Sequence, residues 1–541
     1  MRIGLYHGYE LTGSGSNEYN RYLSENLAKA GHKVHIICRE PSPEKFSFID
    51  KAYEWESSAA AKLLFQRNDN AGDCVLHKLP DAAVTPVYLT DKQRPGNVKS
   101  FVSLTDEELA EYHQLNEKIL RVILTENKLD ILHANHLVYQ PSAALNVCRE
   151  TNTPLIIFPH GSSIEYVIRA DERYKNLALK AILICAGLII GNREVRDRII
   201  NLYPEHKETI LAKTKIAGVG VDTSLFKPVQ KSGRNGNIGE LIKTDGRGGK
   251  GPELVDELYV RLKKQDIQAV KEYWTAYNHS LPDEDLNGKL KQIPWEQNIL
   301  LFVGALTAGK GMQGLITAMP FILSRQPDTH LVIVGAGTYR EALEGLVYAL
   351  KASNKDLLLK LCSQGMDLDR SELSGPWEDV QNFINNPDNL DKILNWGGSV
   401  EGHIHFLGRL NHARLKYLFP CADLAVFPSI VPEAYPLVLM ESFSNGVIPI
   451  VSYFSGFKDG VDELESVIDQ SIIERMKISN DPNQRIESII ENICALLAGP
   501  DLSAETEKLR RLAVEEYDWK NRAGQIVRAY EYFIEDHSSK I

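Results

Sequence analysis

Short apolar runs alternate with longer amphipathic stretches along almost the whole chain. In the first half the runs are Ile3–Tyr6, Val34–Cys38, Ile131–Ala134, Leu155–Phe158, Leu188–Ile190 and Lys215–Ala217. In the second half they are Ile299–Val303, Leu331–Val334, Ile404–Leu407, Leu424–Phe427 and Ile448–Val451. Continuous apolar runs predict strands buried on both faces, and the amphipathic stretches between them predict covering helices, hence parallel sheets. In Glu18–Ala30, for example, Tyr19, Tyr22, Leu23, Leu27 and Ala30 recur at helical spacing and Gly31 follows as a stop. Two such sets predict two doubly wound domains. Ligands of such sheets gather at the carboxyl ends of the strands, so chemistry is sought just after each run.

Two segments break the alternation. Val229–Trp295 is polar: Lys231–Gly251, rich in Gly, Lys and Asn, predicts a flexible loop, and Glu253–Tyr277 a helix. Ser353–Glu401 is also polar and helical in pattern. Both read as insertions, near 229–295 and 353–401, into the second domain. The hinge is expected at Asp222–Pro228, giving domains 1–222 and 223–516. An amphipathic helix within 517–541, with Trp519, Ile526, Tyr530 and Phe533 on its apolar side, is expected to complete the first domain.

Composition narrows the class. The 541 residues are 43% hydrophobic and 25% charged, ordinary values for large globular domains. A net charge of −11 argues against broad nucleic-acid binding, which needs a basic footprint. It also disfavours tight docking on an anionic membrane, while leaving peripheral contact open. The seven cysteines form no Cys-x-x-Cys pair, and Cys38, Cys185 and Cys421 sit in or beside apolar runs as small core residues. The chain opens directly on a strand-like run without a signal-peptide core, and its longest apolar stretch, Ala181–Ile190, is too short to span a bilayer. A cytoplasmic, reducing compartment is expected.

The candidate chemistry lies where the pattern places it. After Leu424–Phe427 comes PSIVPEAYPLVLMESFSNG, Pro428–Gly446. A helix starting at Pro436 in its first position would leave the N–H groups of Leu437 and Val438 facing an anion such as a diphosphate. Glu441, two turns in, suits the vicinal hydroxyls of a ribose, and Glu433 those of a hexose; the plain alternative is two solvated acids. After Ile299–Val303 comes GALTAGKG, Gly304–Gly311. It lacks the Ser or Thr that a nucleotide-triphosphate loop needs after its lysine, but Lys310 can still pair with a phosphate, or stand as a turn lysine. Leu331–Gly337 ends in Gly-x-Gly with Arg340 where a third glycine would belong, and reads as a tight strand-to-helix turn. GSGSN, Gly13–Asn17, allows close backbone approach to a phosphate or sugar, or is a plain loop. His160 in PHGSS ends the Leu155–Phe158 run, and Arg169 and Arg173, a turn apart, form a solvated face or meet an acceptor phosphate. Metal readings are poor: His133 with His136, His403 with His405, and Asp367 with Asp369 lack a complete ligand set. No Gly-x-Ser-x-Gly marks a serine hydrolase.

Taken in order, ILHANHLV, PLIIFPHGSS, KTKIAGVGVDTSLFKP, LLFVGALTAGKG, LVIVGAGTYREAL, HFLGRL and EAYPLVLMES resemble the family-4 retaining glycosyltransferases of the GT-B fold. The resemblance runs nearly end to end, apart from the insertions and much of Pro41–Leu104, and its Glu-x7-Glu motif is Glu433 and Glu441. It implies an α/β chain of two doubly wound Rossmann-like domains facing a central cleft, with two mainly helical insertions in the second. It implies a catalytic set of Glu433, Lys310 and His160. Donor binding would fall to Glu441 at the ribose, Gly15, Leu437, Val438 and Gly304 near the diphosphate, and the Phe406–Arg409 loop at the base. Ser14, Asn17, Arg169 and Arg173 would face the acceptor. The donor would be a nucleoside diphosphate sugar and the acceptor a sugar or small molecule, phosphorylated if the two arginines serve it, with no cofactor and no metal. One departure stands out: Ala305 occupies a position where the family usually carries Arg, and Arg409 is the candidate replacement. Another GT-B enzyme, an epimerase or phosphorylase, and a non-catalytic GT-B binding protein are the alternatives.

Overall fold

A computed structural model describes residues 1–67, 74–88, 97–244, 246–370, 373–499 and 501–539. The chain divides into two compact units, Met1–Gly220 with Glu516–Ile541, and Val221–Glu515. The first boundary precedes the expected hinge, because Phe226 is buried in the second unit, where its carbonyl accepts from Ser444 and Arg510.

The first unit holds strands β1 (Arg2–Tyr6), β2 (Lys33–Cys38), β3 (Lys51–Trp55), β4 (Ala61–Gln66), β5 (Cys74–Lys78), β6 (Thr85–Val87), β7 (Val98–Ser100), β8 (Ile131–Asn135), β9 (Leu155–Phe158), β10 (Gly187–Ile190) and β11 (Thr214–Ile216). Nine form one sheet in the order β11-β10-β9-β8-β1-β2-β5-β3-β4, and β6 pairs with β7 apart from it. All neighbours in the large sheet are parallel except β3 and β4. The apolar pattern did not reveal β3 and β4 because KAYEW and AKLLFQ mix charged and apolar residues: β4 is the largely exposed edge strand and β3, beside it, is only partly buried. The helix Gly15–Lys29 begins earlier than its apolar stripe, since the Ser14 side chain accepts from the Asn17 N–H and caps it. The helix Trp519–Ser539 packs on this unit: Trp519 stacks on Tyr22, and the Tyr530 hydroxyl meets His133 Nδ1 at 2.7 Å. Phe533 lies so close to Gly187 that a Cβ there would fall 2.2 Å from its ring.

The second unit holds β12 (Asn298–Val303), β13 (Thr329–Val334), β14 (Ile404–Phe406), β15 (Leu424–Phe427), β16 (Ile448–Ser452) and β17 (Lys477–Ile478), all parallel, in the order β14-β13-β12-β15-β16-β17. The order reverses direction between β12 and β15, the switch point at which open α/β sheets bind ligands.

The expected loop at Lys231–Gly251 contains a helix instead, Arg234–Ile242. Its composition is poor for a helix, but tertiary contacts override that: Ile238 and Leu241 are buried, and Arg234 forks onto Asp423 at 2.8 and 2.9 Å. The helical stretch beyond it is broken into Pro252–Lys263 and Ala269–Glu272. This segment is anchored by a buried charge network. Arg340 makes a two-pronged bond to Asp283 (2.7 and 2.7 Å) and a third to Glu344 (2.9 Å); Lys250 bridges Glu341 and Glu344, and Lys289 reaches Asp283. Three cations thus match three carboxylates, the condition under which buried charge is tolerated. Burial pushes the Asp283 carboxyl up, but Arg340 and then Lys289 outweigh it and hold it below its ordinary value. Among the described residues all seven cysteines are free and buried, and no helix is long and apolar enough to cross a membrane.

Several histidines are buried neutral. Burial pulls His7, His35 and His330 down to about 4, and His133 and His405 to about 3. These values lie below the unfolded value of ~6.5, so from there downward the unfolded chain binds more protons than the folded one. Stability is therefore complete above about pH 6.5 and falls as the pH drops toward about 4. Thermal unfolding midpoints should decline steadily across that window and be level just above it; a flat profile through about pH 5 would contradict this.

Candidate functional site

The two loops that leave the switch point of the second unit are laced together. After β12 the chain runs through Gly304 to a single turn, Ala308–Lys310, and then Gly311, which caps the helix Met312–Arg325. Gly311 has φ +69°, and a Cβ on it would sit 1.9 Å from the Pro428 carbonyl oxygen. Glycine is required there on both counts. The contact brings in the loop after β15: the Ile430 N–H donates to the Gly309 carbonyl (2.8 Å), as does the Ser429 hydroxyl (3.0 Å). Lys310 Nζ is thereby delivered to Glu433 Oε1, with which it forms an ion pair. The same oxygen also lies 3.1 Å from the Ser429 hydroxyl. The Glu433 carbonyl accepts from the Gly456 N–H and the Ser455 hydroxyl, both after β16 (2.8 Å each).

The helix that follows is Leu437–Ser444, one residue later than expected: Pro436 is extended and caps the helix rather than opening it. Leu437 and Val438 still occupy its first turn, where N–H groups have no intrahelical acceptor. Glu441 is buried in the second turn, and its Oε1 lies 3.0 Å from His412 Nε2.

Gly335 and Gly337, in the turn after β13, have no room for a side chain: a Cβ would lie 1.8 Å from the Gly304 carbonyl oxygen and 2.0 Å from that of Leu306. Arg340 opens the next helix and is consumed by the buried network. The first insertion reaches the Phe406–Arg409 loop directly. The Asp283 N–H donates to the Leu407 carbonyl (3.0 Å), the Arg409 N–H to the Leu281 carbonyl (3.4 Å), and Pro282 bridges Gly408. Arg409 itself is exposed, as is Ala305.

The second insertion braces the lysine loop. Asp369 is buried; its Oδ2 accepts from the Ala308 N–H (2.8 Å) and its Oδ1 from the Thr338 hydroxyl. Asp367 lies apart, with an oxygen 3.4 Å from the Gly375 N–H. Among the described residues no cluster of three or more His, Cys, Asp or Glu is arranged around a common metal position.

In the first unit the order of strands reverses between β1 and β8. Ser14 and Gly15 are exposed at the helix start, whereas Asn17 is buried, donating to the Thr12 carbonyl (2.6 Å) and meeting His7 Nε2 (2.9 Å). His160 Nε2 meets Asn135 Oδ1 at 3.0 Å, and burial holds it well below its ordinary value, so its ring is neutral. Beside it lies His136, with ring centroids 4.7 Å apart. Arg169 pairs with Glu165, and Arg173 with Asp171 and Asp106. Both arginines are thus matched by carboxylates of their own unit.

Sequence reasoning singled out the Glu433, Lys310 and Glu441 set, which the second unit gathers around one switch point. It passed over Ser429, Asp283 and His412, and saw in Asp369 only a poor metal ligand. His7 was findable, since it directly follows an apolar strand, whereas His136 was weighed only with His133 as a poor metal pair.

Asp369→Ala leaves the buried Ala308 N–H without an acceptor and should cost about 1–3 kcal/mol, read by urea unfolding of the full chain. Asp369→Asn, which keeps one acceptor oxygen, should recover part of the loss; equal stability of all three proteins would refute this bracing role.

Residues 285–364 and 396–508 match the family model for glycosyl transferases group 1, so the second unit carries a domain of that kind. A phosphatidyl-myo-inositol mannosyltransferase of Mycobacterium tuberculosis is 21% identical over 244 residues, 45% of this chain and 49% of that one. The chain spans at most about half the length of these curated relatives. Among solved structures, sucrose-phosphate synthase from Thermosynechococcus elongatus superposes with a TM-score of 0.56 at 16% identity, covering 99% of both chains. Anabaena HepE in complex with UDP superposes at 0.53 with 12% identity, over 98% of this chain and 100% of that one. These likenesses establish the fold as GT-B, two Rossmann-like α/β units.

Proposed function

We propose that this chain transfers a hexose from a nucleoside diphosphate sugar to an acceptor hydroxyl, with retention at the anomeric carbon and without a metal ion. The observation that carries the proposal is the Lys310–Glu433 pair at the switch point of the second unit, with Glu441 in the second turn of the helix that follows. The two charges satisfy each other here. A donor's diphosphate competes for Lys310 while its hexose hydroxyls compete for Glu433, so donor binding exchanges one ion pair for two ligand contacts. The group 1 domain, the mannosyltransferase relative and the likeness to a UDP-bound structure support a nucleotide sugar as the donor.

In the proposed reaction the bond from the anomeric carbon to the diphosphate breaks and the leaving oxygen takes the electron pair. The acceptor oxygen bonds to the same face, and its proton passes to the departing phosphate. The barrier is set by charge growing on the diphosphate. Lys310 and the first-turn N–H groups of Leu437 and Val438 are fixed donors of the kind that stabilise such charge without reorganising. Asp369, the carboxylate of the Asp367–Asp369 metal reading that reaches the lysine loop, is bonded to Ala308 and Thr338.

Release of UDP, GDP or ADP from a panel of their sugars, with mixed acceptors and excess EDTA, tests the proposal. One donor should turn over. Glu433→Ala and Lys310→Ala should each slow it by roughly 10²–10³-fold, the usual effect of removing one charge-stabilising group, with unchanged circular dichroism. Near-normal rates in both variants would overturn the assignment. Absence of both turnover and calorimetric donor binding would instead favour a non-catalytic protein.

A further inference from the structure

His412 lies outside the motifs that mark the site, yet its ring is held directly against one of their carboxylates. It opens the helix His412–Leu418, which Asn411 caps by accepting from the Arg414 N–H. One edge of the ring points Nε2 at Glu441 Oε1, 3.0 Å away. Another side lies T-shaped against Phe226, with centroids 5.5 Å apart. Phe226 is itself fixed to the Glu441 helix, because its carbonyl accepts from the Ser444 hydroxyl at 2.8 Å. The imidazole is therefore clamped between two groups tied to the same helix. The Glu441 side chain is only 6% exposed, against 26% for His412. A carboxylate in so confined a place has few orientations, and a donor on one of its oxygens selects among them. The other oxygen is left to accept from a ligand.

We propose that His412 is a positioning residue that sets the selectivity of the site for ribose over deoxyribose, by donating from Nε2 to Glu441 Oε1 and so aiming the remaining oxygen at a ribose hydroxyl. This rests on the nucleotide-sugar reading above and adds to it a residue that no motif contains. Loss of His412 frees the Glu441 carboxylate to rotate, so the hydroxyl contact weakens while contacts to base and diphosphate persist. The signature is a change in a ratio of affinities, which a general loosening of the unit does not produce.

The test is calorimetry of the full chain with UDP, GDP and ADP, followed by the 2′-deoxy and 3′-deoxy forms of whichever binds best. Wild type should prefer the ribose form over at least one deoxy form by about tenfold or more, as expected for a hydrogen bond to a charged group. In His412→Phe that preference should shrink to within about twofold. His412→Gln, whose amide nitrogen can stand in for Nε2, should retain most of it. Glu441→Gln should weaken it independently. A wild-type preference that survives intact in His412→Phe overturns the inference while leaving the nucleotide-sugar reading standing. So does a wild type that binds a nucleoside diphosphate with no preference for ribose. Failure of wild type to bind any of the three overturns both. If His412→Phe does not fold, loss of preference in His412→Asn, which cannot reach Glu441, against retention in His412→Gln decides the matter, and equal ratios in those two variants refute it.

Discussion

Gly311 approaches the Pro428 carbonyl so closely that no side chain fits between them. Much of the site follows from that approach. Parallel strands β12 and β15 are neighbours in the sheet but distant in sequence, and their outgoing loops have no reason of their own to meet. The glycine lets one backbone lie on the other, and two hydrogen bonds onto the Gly309 carbonyl lock the contact. Lys310 then stands within reach of Glu433, over a hundred residues away. Rigid placement of opposite charges matters more here than their number: a preorganised donor costs nothing to reorient when charge develops.

The insertions share one structural logic despite different positions in the chain. Each sends a buried aspartate to the backbone or side chains around a loop leaving the sheet. Asp369 meets the lysine loop at Ala308, and Asp283 fixes Arg340 while its own N–H holds Leu407 beside the Phe406–Arg409 loop. Burying charge to achieve this is costly unless every partner is present. That condition explains why Lys250, Arg340 and Lys289 converge on Asp283, Glu341 and Glu344. It also explains why a position that a dinucleotide fingerprint would fill with glycine is an arginine here. Most charged residues of the insertions are exposed, and the few that are buried, Arg234, Lys250, Asp283, Asp369 and Asp379 among them, include those that tie the insertions to the sheet's outgoing loops.

The core strands of both units were legible because parallel strands covered on both faces read as unbroken apolar runs. Edge strand β4 and its neighbour β3 were not, since AKLLFQ and KAYEW carry the mixed pattern of strands that are largely or partly exposed. The helix Arg234–Ile242 was invisible for a different reason: its local propensity is poor, and its stability comes from an Arg234–Asp423 fork between residues far apart in sequence. The glutamates and the lysine could be singled out because each follows a strand end within a distinctive local context. His412 and Asp369 could not, because their importance lies wholly in what they touch.

Ala305 sharpens the electrostatics of the proposed donor site. The resemblance would place an arginine there; without it Lys310 is balanced by Glu433, and buried Arg485 is engaged at the Ser429 carbonyl. On the proposed reading, a diphosphate entering the site finds Lys310 already paired with a carboxylate. Its attraction must come from oriented peptide dipoles, chiefly the first turn of Leu437–Ser444, and from Lys310 once Glu433 turns to sugar hydroxyls. In the proposed reaction, release of Lys310 to phosphate depends on Glu433 finding another partner, and the proposed partner is the sugar itself. A nucleoside diphosphate without its sugar leaves Glu433 competing for the lysine, so the full donor engages the pair more completely than the product does. On the proposed reading, alanine at position 305 thus shifts discrimination from the phosphate toward the hexose.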